Sequence, residues 1–344
     1  MNAPRILLVP DCGPSVGGGH VMRCLTLARA LAAQGAECRF LAQAEAGALL
    51  DAFGGGGIAL TLLPGSGGVA VLPDAAAAAA GAADVMVIDH YRFGAEVERQ
   101  LRPARLVVLE DLPNRPHECD LLVDSGLTHT PEHYAPMAPG ARVLTGPPYA
   151  LVRPEFAELR PATLQRRRQG GPVRRVLVGL GLTDLEETTC RVLEGLRNDF
   201  GRVQVDVCTG RAAPSLDCIQ ELVDGDVRFH LHLDTPHMAE LMAAADIAIG
   251  AGGSSVWERA CLGLPSITVV LAENQRPLTS ELHRLGATLA LDRFALAFEA
   301  MLSGEWYGLL ASPEARLRMT EASAALCDGL GAPRVAEAVL ALLQ

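Results

Sequence analysis

Short apolar runs alternate with amphipathic, helix-like segments along the first half of the chain. The runs predict strands at residues 5–10, 37–42, 84–89, 105–110 and 121–125. Between them, periodic patterns predict helices at 20–34, 43–53, 94–102 and, from an alanine-rich stretch, 74–82. Apolar strands that alternate with helices are typical of a parallel sheet covered by helices.

The same pattern restarts in the second half. Apolar runs predict strands at 174–181, 203–210, 227–233, 247–253 and 266–272. Helices are predicted at 184–198, 214–223, 236–244, 255–263 and 275–285. Residues 291–344 show three helical stretches and no strand.

The restart predicts two domains. Residues 1–160 form an N-terminal α/β domain, 160–172 a Pro-, Gly- and Arg-rich linker, and 172–320 a C-terminal nucleotide-binding domain. A helical tail, 321–344, could pack back on the first domain. We therefore expect an α/β protein with two doubly wound, Rossmann-like parallel sheets facing each other across a cleft. Ligands of such sheets bind beyond the carboxyl ends of the strands.

Composition and charge narrow the class of protein. Hydrophobic residues make up 49% and charged residues 20% of the chain, as in globular proteins. A net charge of −11 argues against binding to nucleic acid or to an anionic membrane. No apolar run reaches the roughly 18 residues that cross a bilayer, and the first apolar run is too short for a signal peptide. We expect a cytoplasmic monomer without membrane insertion.

Cysteine and basic residues exclude several chemistries. The nine cysteines are scattered without a CxxC pair, which predicts reduced core residues and no zinc site. The chain has no lysine, which excludes a P-loop lysine and any Schiff-base mechanism. The arginines of 166–168, with Arg174 and Arg175, are predicted to form a solvated turn rather than a binding patch.

The stretch GPSVGGGHVMRC places His20 behind a glycine loop that includes Gly18 and Gly19. Such a loop at a helix N-terminus suits a phosphate, because free N–H groups and the positive end of the helix dipole point outward. The same dipole disfavours an imidazolium, so a neutral His20 could accept a proton. The alternative is a helix-start residue that merely packs against the loop.

A second glycine turn occurs in AGAGGSSVWERACLGLPSI. In one interpretation Ser254, Ser255 and the Val256 N–H hold a diphosphate, and Glu258 accepts hydrogen bonds from the two ribose hydroxyls. In the other, Ser255 and Glu258 form a capping box, S-x-x-E, and are purely structural. The local pattern alone favours the capping box.

Further polar residues follow other strands. Asn274 and Gln275 end the strand before LAENQRP and could face the same ligand. Asp89, Glu110 and Asp111 also end strands, where carboxylates are more often loop or cap residues than catalysts. Six histidines show no spacing typical of metal ligands and are assigned to the surface or the core: His117, His129, His133, His230, His232 and His237.

Together these stretches resemble one family. The pattern D-x-x-x-x-x-GGGHVMRC from Asp11, IDHY at 88–91, YALVRPEF at 149–156, GAGGSSVWERACLGLPSI and AENQ occur in its order and spacing. The family is the UDP-sugar hydrolases of pseudaminic acid biosynthesis, and the resemblance covers about residues 5–290. It implies a GT-B fold and cleavage of UDP-2,4-diacetamido-2,4,6-trideoxy-β-L-altropyranose to UDP and the free sugar, with no metal or cofactor.

The resemblance also implies roles for individual residues. His20 would activate water for inverting attack at the anomeric carbon, and Tyr91, Tyr149 and Arg153 would line the sugar or phosphate side. The residues implied to bind UDP or the sugar are Gly18, Gly19, Gly181, Thr183, Ser254, Ser255, Val256, Glu258, Asn274 and Gln275. One departure is Leu182, which replaces a family glycine beside the phosphates. Another is Glu110-Asp111, where the family often has two aspartates.

Two other functions fit the same pattern. A GT-B glycosyltransferase would use the same nucleotide half and bind an acceptor in the first domain. Residues 43–83 carry acidic but no basic side chains, which favours a small UDP-sugar over a membrane-bound acceptor. A non-catalytic nucleotide-sugar binding protein is the third possibility, against which His20 in its glycine loop argues.

Overall fold

A computed structural model describes residues 3–13, 17–54, 59–63, 68–101, 103–184 and 187–344. The chain divides into two compact units. Unit 1 comprises Met1–Val152 and Leu330–Gln344, and unit 2 comprises Arg153–Gly329. Each unit contains one parallel sheet with helices against it, which confirms the prediction of two parallel-sheet α/β domains.

The sheet of unit 1 has seven strands in the order β3-β2-β1-β4-β5-β6-β7. They are β1 Arg5–Pro10, β2 Glu37–Gln43, β3 Ala59–Leu63, β4 Val85–Asp89, β5 Leu106–Leu109, β6 Leu121–Asp124 and β7 Arg142–Thr145. The helices are α1 Gly19–Ala33, α2 Gly47–Phe53, α3 Gly68–Ala80, α4 Ala95–Leu101 and α5 Pro131–Tyr134. The last helix of the chain, α14 Gly331–Ala341, also belongs to unit 1 and packs on α1.

The sheet of unit 2 has six strands in the order β10-β9-β8-β11-β12-β13. They are β8 Arg175–Gly179, β9 Gln204–Thr209, β10 Phe229–Leu233, β11 Ile247–Ala251, β12 Ser266–Val270 and β13 Leu289–Asp292. The helices are α6 Pro154–Arg168, α7 Thr188–Leu196, α8 Leu216–Val223, α9 Met238–Ala244, α10 Ser255–Cys261, α11 Arg276–Arg284, α12 Phe298–Ala311 and α13 Pro313–Leu326.

Every strand predicted from an apolar run is present, whereas β3, β7 and β13 were missed. All three lie at the edge of a sheet. The strands β7 and β13 have four residues each and are only partly buried, so neither produces a continuous apolar run. β13 also shows that the predicted strand-free tail begins with the end of a strand.

The segment 160–172, predicted as a linker, lies mostly within α6. Pro154 begins this helix at a position where proline is favoured, and Phe156 and Leu164 are buried. The helix packs on α9, α10 and α13 of unit 2. The chain therefore passes between units at Val152 and again at Gly329, rather than within the charged segment.

Two of the three arginines at the end of α6, Arg166 and Arg167, bind other parts of unit 2, so this segment is not the solvated turn that was predicted. Arg167 is 8% exposed and donates to the carbonyl oxygens of Met242, Ala245 and Leu262 at 2.8 to 2.9 Å. Arg166 binds Asp246 and the carbonyls of Ala243 and Ala245. These bonds satisfy carbonyls at the C-terminal ends of α9 and α10. A sequence pattern of consecutive arginines does not reveal such partners.

We expect Arg167→Met to lower the free energy of unfolding by about 3 kcal/mol, because three buried carbonyls lose their charged donor. Arg168→Met is the matched control, since Arg168 lies next to it on α6 and is exposed. Urea denaturation of both variants measures the difference. Equal stability of the two variants would contradict a structural role for Arg167.

Two of the nine cysteines differ from the prediction that all are reduced. Cys190 on α7 and Cys218 on α8 form a disulfide, with Cα atoms 6.4 Å apart, within the range that a disulfide spans. The two helices pack together, a proximity that a sequence separation of 28 residues conceals. The other seven cysteines are free, and all but Cys119 are buried.

His117 is a core residue of unit 1. Its Nδ1 lies 2.7 Å from Glu98 Oε1 and its Nε2 lies 3.0 Å from Glu110 Oε2. Burial alone would lower the pKa of His117, but the hydrogen bonds to Glu110 and Glu98 outweigh it and raise the pKa to about 9. The imidazolium form therefore joins two buried carboxylates.

The raised pKa of His117 predicts a pH-dependent stability. The contribution of the charged His117 to the free energy of unfolding is complete below the ordinary histidine pKa near 6.5. It is lost as the pH rises through about 9. We expect His117→Gln to be less stable than the native protein by roughly 3 kcal/mol at pH 6, and the difference to shrink towards pH 9. Denaturation between pH 6 and pH 9 measures this difference in stability, and the exposed His237→Gln is the control. A difference that does not change with pH would contradict the assignment.

Candidate functional site

His20 lies in the first turn of α1, where Gly18 is the N-cap residue. Residues 14–16 of the glycine loop lie outside the described residues. No side chain caps this helix end, and the His20 side chain is 6% exposed. Its ring contacts Asp89, the last residue of β4.

The ring of His20 forms a hydrogen bond from Nδ1 to Asp89 Oδ1. An ionised carboxylate can only accept, so this bond requires the tautomer with the proton on Nδ1, in which Nε2 is an acceptor. Arg23 Nη2 also lies 2.9 Å from Nδ1. A histidine oriented by a buried carboxylate is the arrangement that general bases commonly use. The ring of Tyr91 packs edge-on against His20, with centroids 4.5 Å apart.

Arg23, one turn after His20, binds the same carboxylate. Its Nη2 and Nε donate to the two oxygens of Asp89 at 2.6 and 2.9 Å. Burial alone would raise the pKa of Asp89, but Arg23 and His20 outweigh it and lower the pKa to about 2. Asp89 therefore stays ionised throughout the physiological pH range.

The network extends to the end of β5. Arg23 Nη1 donates to Asp111 Oδ2 at 3.1 Å, and the Tyr91 hydroxyl donates to the same oxygen at 3.1 Å. Because β4 and β5 are neighbours in the sheet, Asp89 and Asp111 lie side by side. Of this cluster, the sequence singled out His20 and Tyr91 but treated Asp89 and Asp111 as loop residues.

Two further predicted residues are Tyr149 and Arg153, which belong to different units. Tyr149 belongs to unit 1 and ends a short 3₁₀ turn, Pro147–Tyr149, where it is half-buried. Arg153 is the first residue of unit 2 and is 6% exposed.

In unit 2, the glycine turn after β11 leads to α10. Ser254 is the N-cap residue of α10, but its side chain makes no capping hydrogen bond. The Val256 N–H donates to the Gly253 carbonyl at 3.0 Å. In this conformation the turn itself uses the Val256 donor, and the role of Val256 in binding a diphosphate stays a prediction.

Glu258 makes no capping box. The Glu258 Oε1 atom instead accepts from Arg153 Nε at 3.2 Å, and Arg153 Nη2 is also 3.2 Å away. Burial raises the pKa of Glu258, while the charge and hydrogen bonds of Arg153 oppose this shift. The local S-x-x-E pattern thus predicted the wrong partner, since the true partner is 105 residues away.

Arg259 orients the hydroxyl of Ser255 by a hydrogen bond. Arg259 Nη1 donates to Ser255 Oγ at 3.0 Å, and Nη2 donates to the carbonyl of Ala251 at 2.9 Å. Because the Ser255 oxygen accepts this bond, its own proton is available to another acceptor. A Cβ on Gly250 would lie 2.5 Å from Arg259 Nη1, so a larger residue there would displace the guanidinium that binds Ser255. Burial lowers the pKa of Arg259 to about 10.

Gln275 and Asn274 occupy a short 3₁₀ turn, Glu273–Gln275. Gln275 Oε1 accepts from the Leu271 N–H at 3.0 Å. A Cβ on Gly252 would lie 2.5 Å from Thr279 Oγ1 and 3.1 Å from the Gln275 side chain. Gln275 therefore binds the end of the strand and lies beside the glycine turn, whereas Asn274 is exposed.

The departure at Leu182 lies in the loop after β8. Gly181 has φ of +112°, a conformation that glycine adopts readily. A Cβ on Gly210 would lie 2.1 Å from the Leu182 carbonyl oxygen, so this loop rests on the end of β9. Thr183 is half-buried. Asp184 accepts from the Thr189 N–H at 2.9 Å and fixes the start of α7.

The residues that the structure describes contain neither a cluster of metal ligands nor a membrane-spanning helix. Within these ranges no group of three or more His, Cys, Asp or Glu side chains could hold a metal ion. Among the same residues, no helix has both the length and the apolar character needed to span a bilayer.

Comparison with known proteins agrees with this architecture. Residues 217–326 match the family model of the glycosyltransferase family 28 C-terminal domain. The spore coat polysaccharide biosynthesis protein SpsG of Bacillus subtilis is 24% identical over 73% of this chain and 75% of its own length.

Solved structures share the fold at low identity. MurG of Acinetobacter baumannii aligns with a TM-score of 0.66 at 15% identity, over 98% of this chain and 99% of its own. The Arabidopsis thaliana protein UGT89C1 complexed with UDP aligns with a TM-score of 0.68 at 14% identity, over 99% and 100%. The chain thus has the GT-B fold, and its second unit carries a segment that matches the glycosyltransferase family 28 C-terminal domain.

Proposed function

We propose that the protein is a nucleotide-sugar hydrolase that cleaves a UDP-linked 2,4-diacetamido-2,4,6-trideoxy sugar at its anomeric carbon. The products are UDP and the free sugar, the precursor of a nonulosonate such as pseudaminic acid. The observation that carries the proposal is the His20–Asp89 pair; with the proton on Nδ1, the Nε2 atom of His20 can accept a proton.

The reaction is a single displacement. His20 Nε2 accepts a proton from water as the water oxygen bonds to the anomeric carbon, on the face opposite to the nucleotide. The bond from that carbon to the diphosphate oxygen breaks, and the electron pair leaves with UDP, so the configuration inverts. Asp89, kept ionised by Arg23, stabilises the imidazolium that forms.

Unit 2 supplies the nucleotide side of the proposal. The Ser255 proton can be donated to a diphosphate oxygen, and the buried charge of Arg259 lies directly behind this hydroxyl. Glu258 would accept hydrogen bonds from the ribose hydroxyls. The family 28 match, which includes these residues, and the UDP complex of the structural relative support a uridine nucleotide. The proposed sugar rests on the sequence resemblance.

The family 28 match also favours a second candidate, a glycosyltransferase that transfers the sugar from UDP to an acceptor. Both reactions use a base and a bound nucleotide sugar, and they differ in whether water or an alcohol attacks. The His20–Asp89 pair could act as the base in either reaction.

Release of UDP from purified protein and UDP-2,4-diacetamido-2,4,6-trideoxy-β-L-altropyranose, without any acceptor and in EDTA, separates these functions. The hydrolase releases UDP in proportion to free sugar. A glycosyltransferase shows slow or no release until an acceptor alcohol is added. A binding protein takes up UDP, as measured by calorimetry, but turns nothing over.

A further inference from the structure

In the ion pair between Arg153 and Glu258, the guanidinium contacts only one of the two carboxylate oxygens. Both guanidinium nitrogens approach the same oxygen, Glu258 Oε1, at 3.2 Å. The other oxygen, Oε2, takes no part in this pair. The Glu258 side chain is 18% exposed, so a ligand can reach it.

Arg153 is held rigidly. It is the N-cap residue of α6, immediately before Pro154. Its guanidinium carbon lies 5.0 Å from the ring centroid of Phe156, which is fully buried. The side chain of Arg153 is 7% exposed, so little water competes for its hydrogen bonds. Such a fixed guanidinium can set both the charge and the direction of its partner.

The charged groups around Glu258 come from two helices. From α6, Arg153 favours the carboxylate and Glu155 disfavours it; from α10, Arg259 favours it. Burial is the largest effect and raises the pKa of Glu258, and Arg153 is the strongest influence in the opposite direction. Arg259 directs its own hydrogen bonds to Ser255 and to the carbonyl of Ala251, so it does not replace Arg153.

We propose that Arg153 is a positioning residue that keeps Glu258 ionised and turns its free oxygen towards the ribose of a bound uridine nucleotide. This inference rests on the proposed nucleotide site. An ionised carboxylate accepts hydrogen bonds from both ribose hydroxyls, whereas a protonated one has lost part of its acceptor capacity. Without Arg153, recognition of the ribose becomes dependent on pH.

The test compares the affinities for UDP and 2′-deoxy-UDP between pH 5 and 9, by calorimetry, in the native protein and in Arg153→Gln. Both ligands carry the same diphosphate, so its ionisation cancels in the affinity ratio. We expect the native protein to prefer UDP by roughly tenfold at pH 7. In Arg153→Gln the preference is lost at pH 7 and returns as pH rises, with its midpoint about one to three pH units higher.

Three further variants sharpen the result. Arg153→Lys keeps the charge and should retain most of the preference for UDP at pH 7. This variant also tests the inference if Arg153→Gln folds poorly. Glu258→Gln should show no preference at any pH. Arg166→Gln removes a more exposed arginine of the same helix, bound to Asp246, and should behave as the native protein.

An unchanged UDP preference in folded Arg153→Gln across the pH range would overturn the inference while leaving the nucleotide site intact. An equal loss of both affinities at every pH would also overturn it, since that indicates a purely structural role. A native protein that binds neither nucleotide contradicts the proposed function and the inference together.

Discussion

Replacing His20 by alanine is expected to lower kcat for UDP release by about 10²- to 10⁴-fold, the range that general bases contribute. UDP affinity should change little, because the proposed nucleotide contacts are those of unit 2. Asp89 keeps its pair with Arg23 in this variant, so no buried charge is left without a partner and the fold should persist. Steady-state kinetics, UDP calorimetry and a melting curve measure the three quantities.

His237→Ala is the matched control, since this side chain is 73% exposed and its carboxylate neighbour lies 3.7 Å away. It should leave kcat at the native value. If His20→Ala retains more than a tenth of the native kcat, His20 does not accept the proton in the slow step. A loss of UDP binding in parallel with kcat would show that the histidine acts on the nucleotide instead.

Asp89→Asn is expected to have an effect of similar size, with kcat lower by about 10²- to 10⁴-fold. The amide can donate to Nδ1 and so stabilise the tautomer that protonates Nε2, and it no longer stabilises the imidazolium. It also leaves Arg23 with one carboxylate partner, Asp111. Kinetics of folded Asp89→Asn, with circular dichroism as the check on folding, measure the loss.

Asp111→Asn is the comparison, because Asp111 contacts Arg23 and Tyr91 but not His20. Its effect should be about tenfold or less, since it acts on His20 only through Arg23 and Tyr91. Equal effects of the two asparagine variants would indicate that the whole network matters rather than the His20–Asp89 bond. Full activity of Asp89→Asn would remove Asp89 from the mechanism.

The sequence predicts the fold well where burial is complete. Central strands of a parallel sheet are covered on both faces and appear as continuous apolar runs, as in β4, VMVID, whose five residues are all buried. The edge strands β7 and β13 are partly exposed and break the run with polar residues. The prediction of a solvated turn at the end of α6 was wrong for a related reason. The carbonyl partners of Arg167 are main-chain atoms, which the sequence pattern does not identify.

The site was predicted in part. His20 stands out because of the glycine loop beside it, a local signal. Its partner Asp89 is 69 residues away, and only the sheet register brings the two together. One local signal was available for Arg23, since residues three apart lie on the same side of a helix. The capping pattern at Ser255 and Glu258 misled because local hydrogen bonds compete with a distant partner, Arg153, that the pattern does not contain.

The attack of water on the anomeric carbon is the central claim, and hydrolysis in H₂¹⁸O tests it most directly. Mass spectrometry of the UDP released without an acceptor shows which bond breaks. Attack at carbon leaves the UDP unlabelled, because its leaving oxygen comes from the substrate, and the ¹⁸O enters the free sugar. Label in the terminal phosphate of UDP would mean attack at phosphorus and would contradict the account.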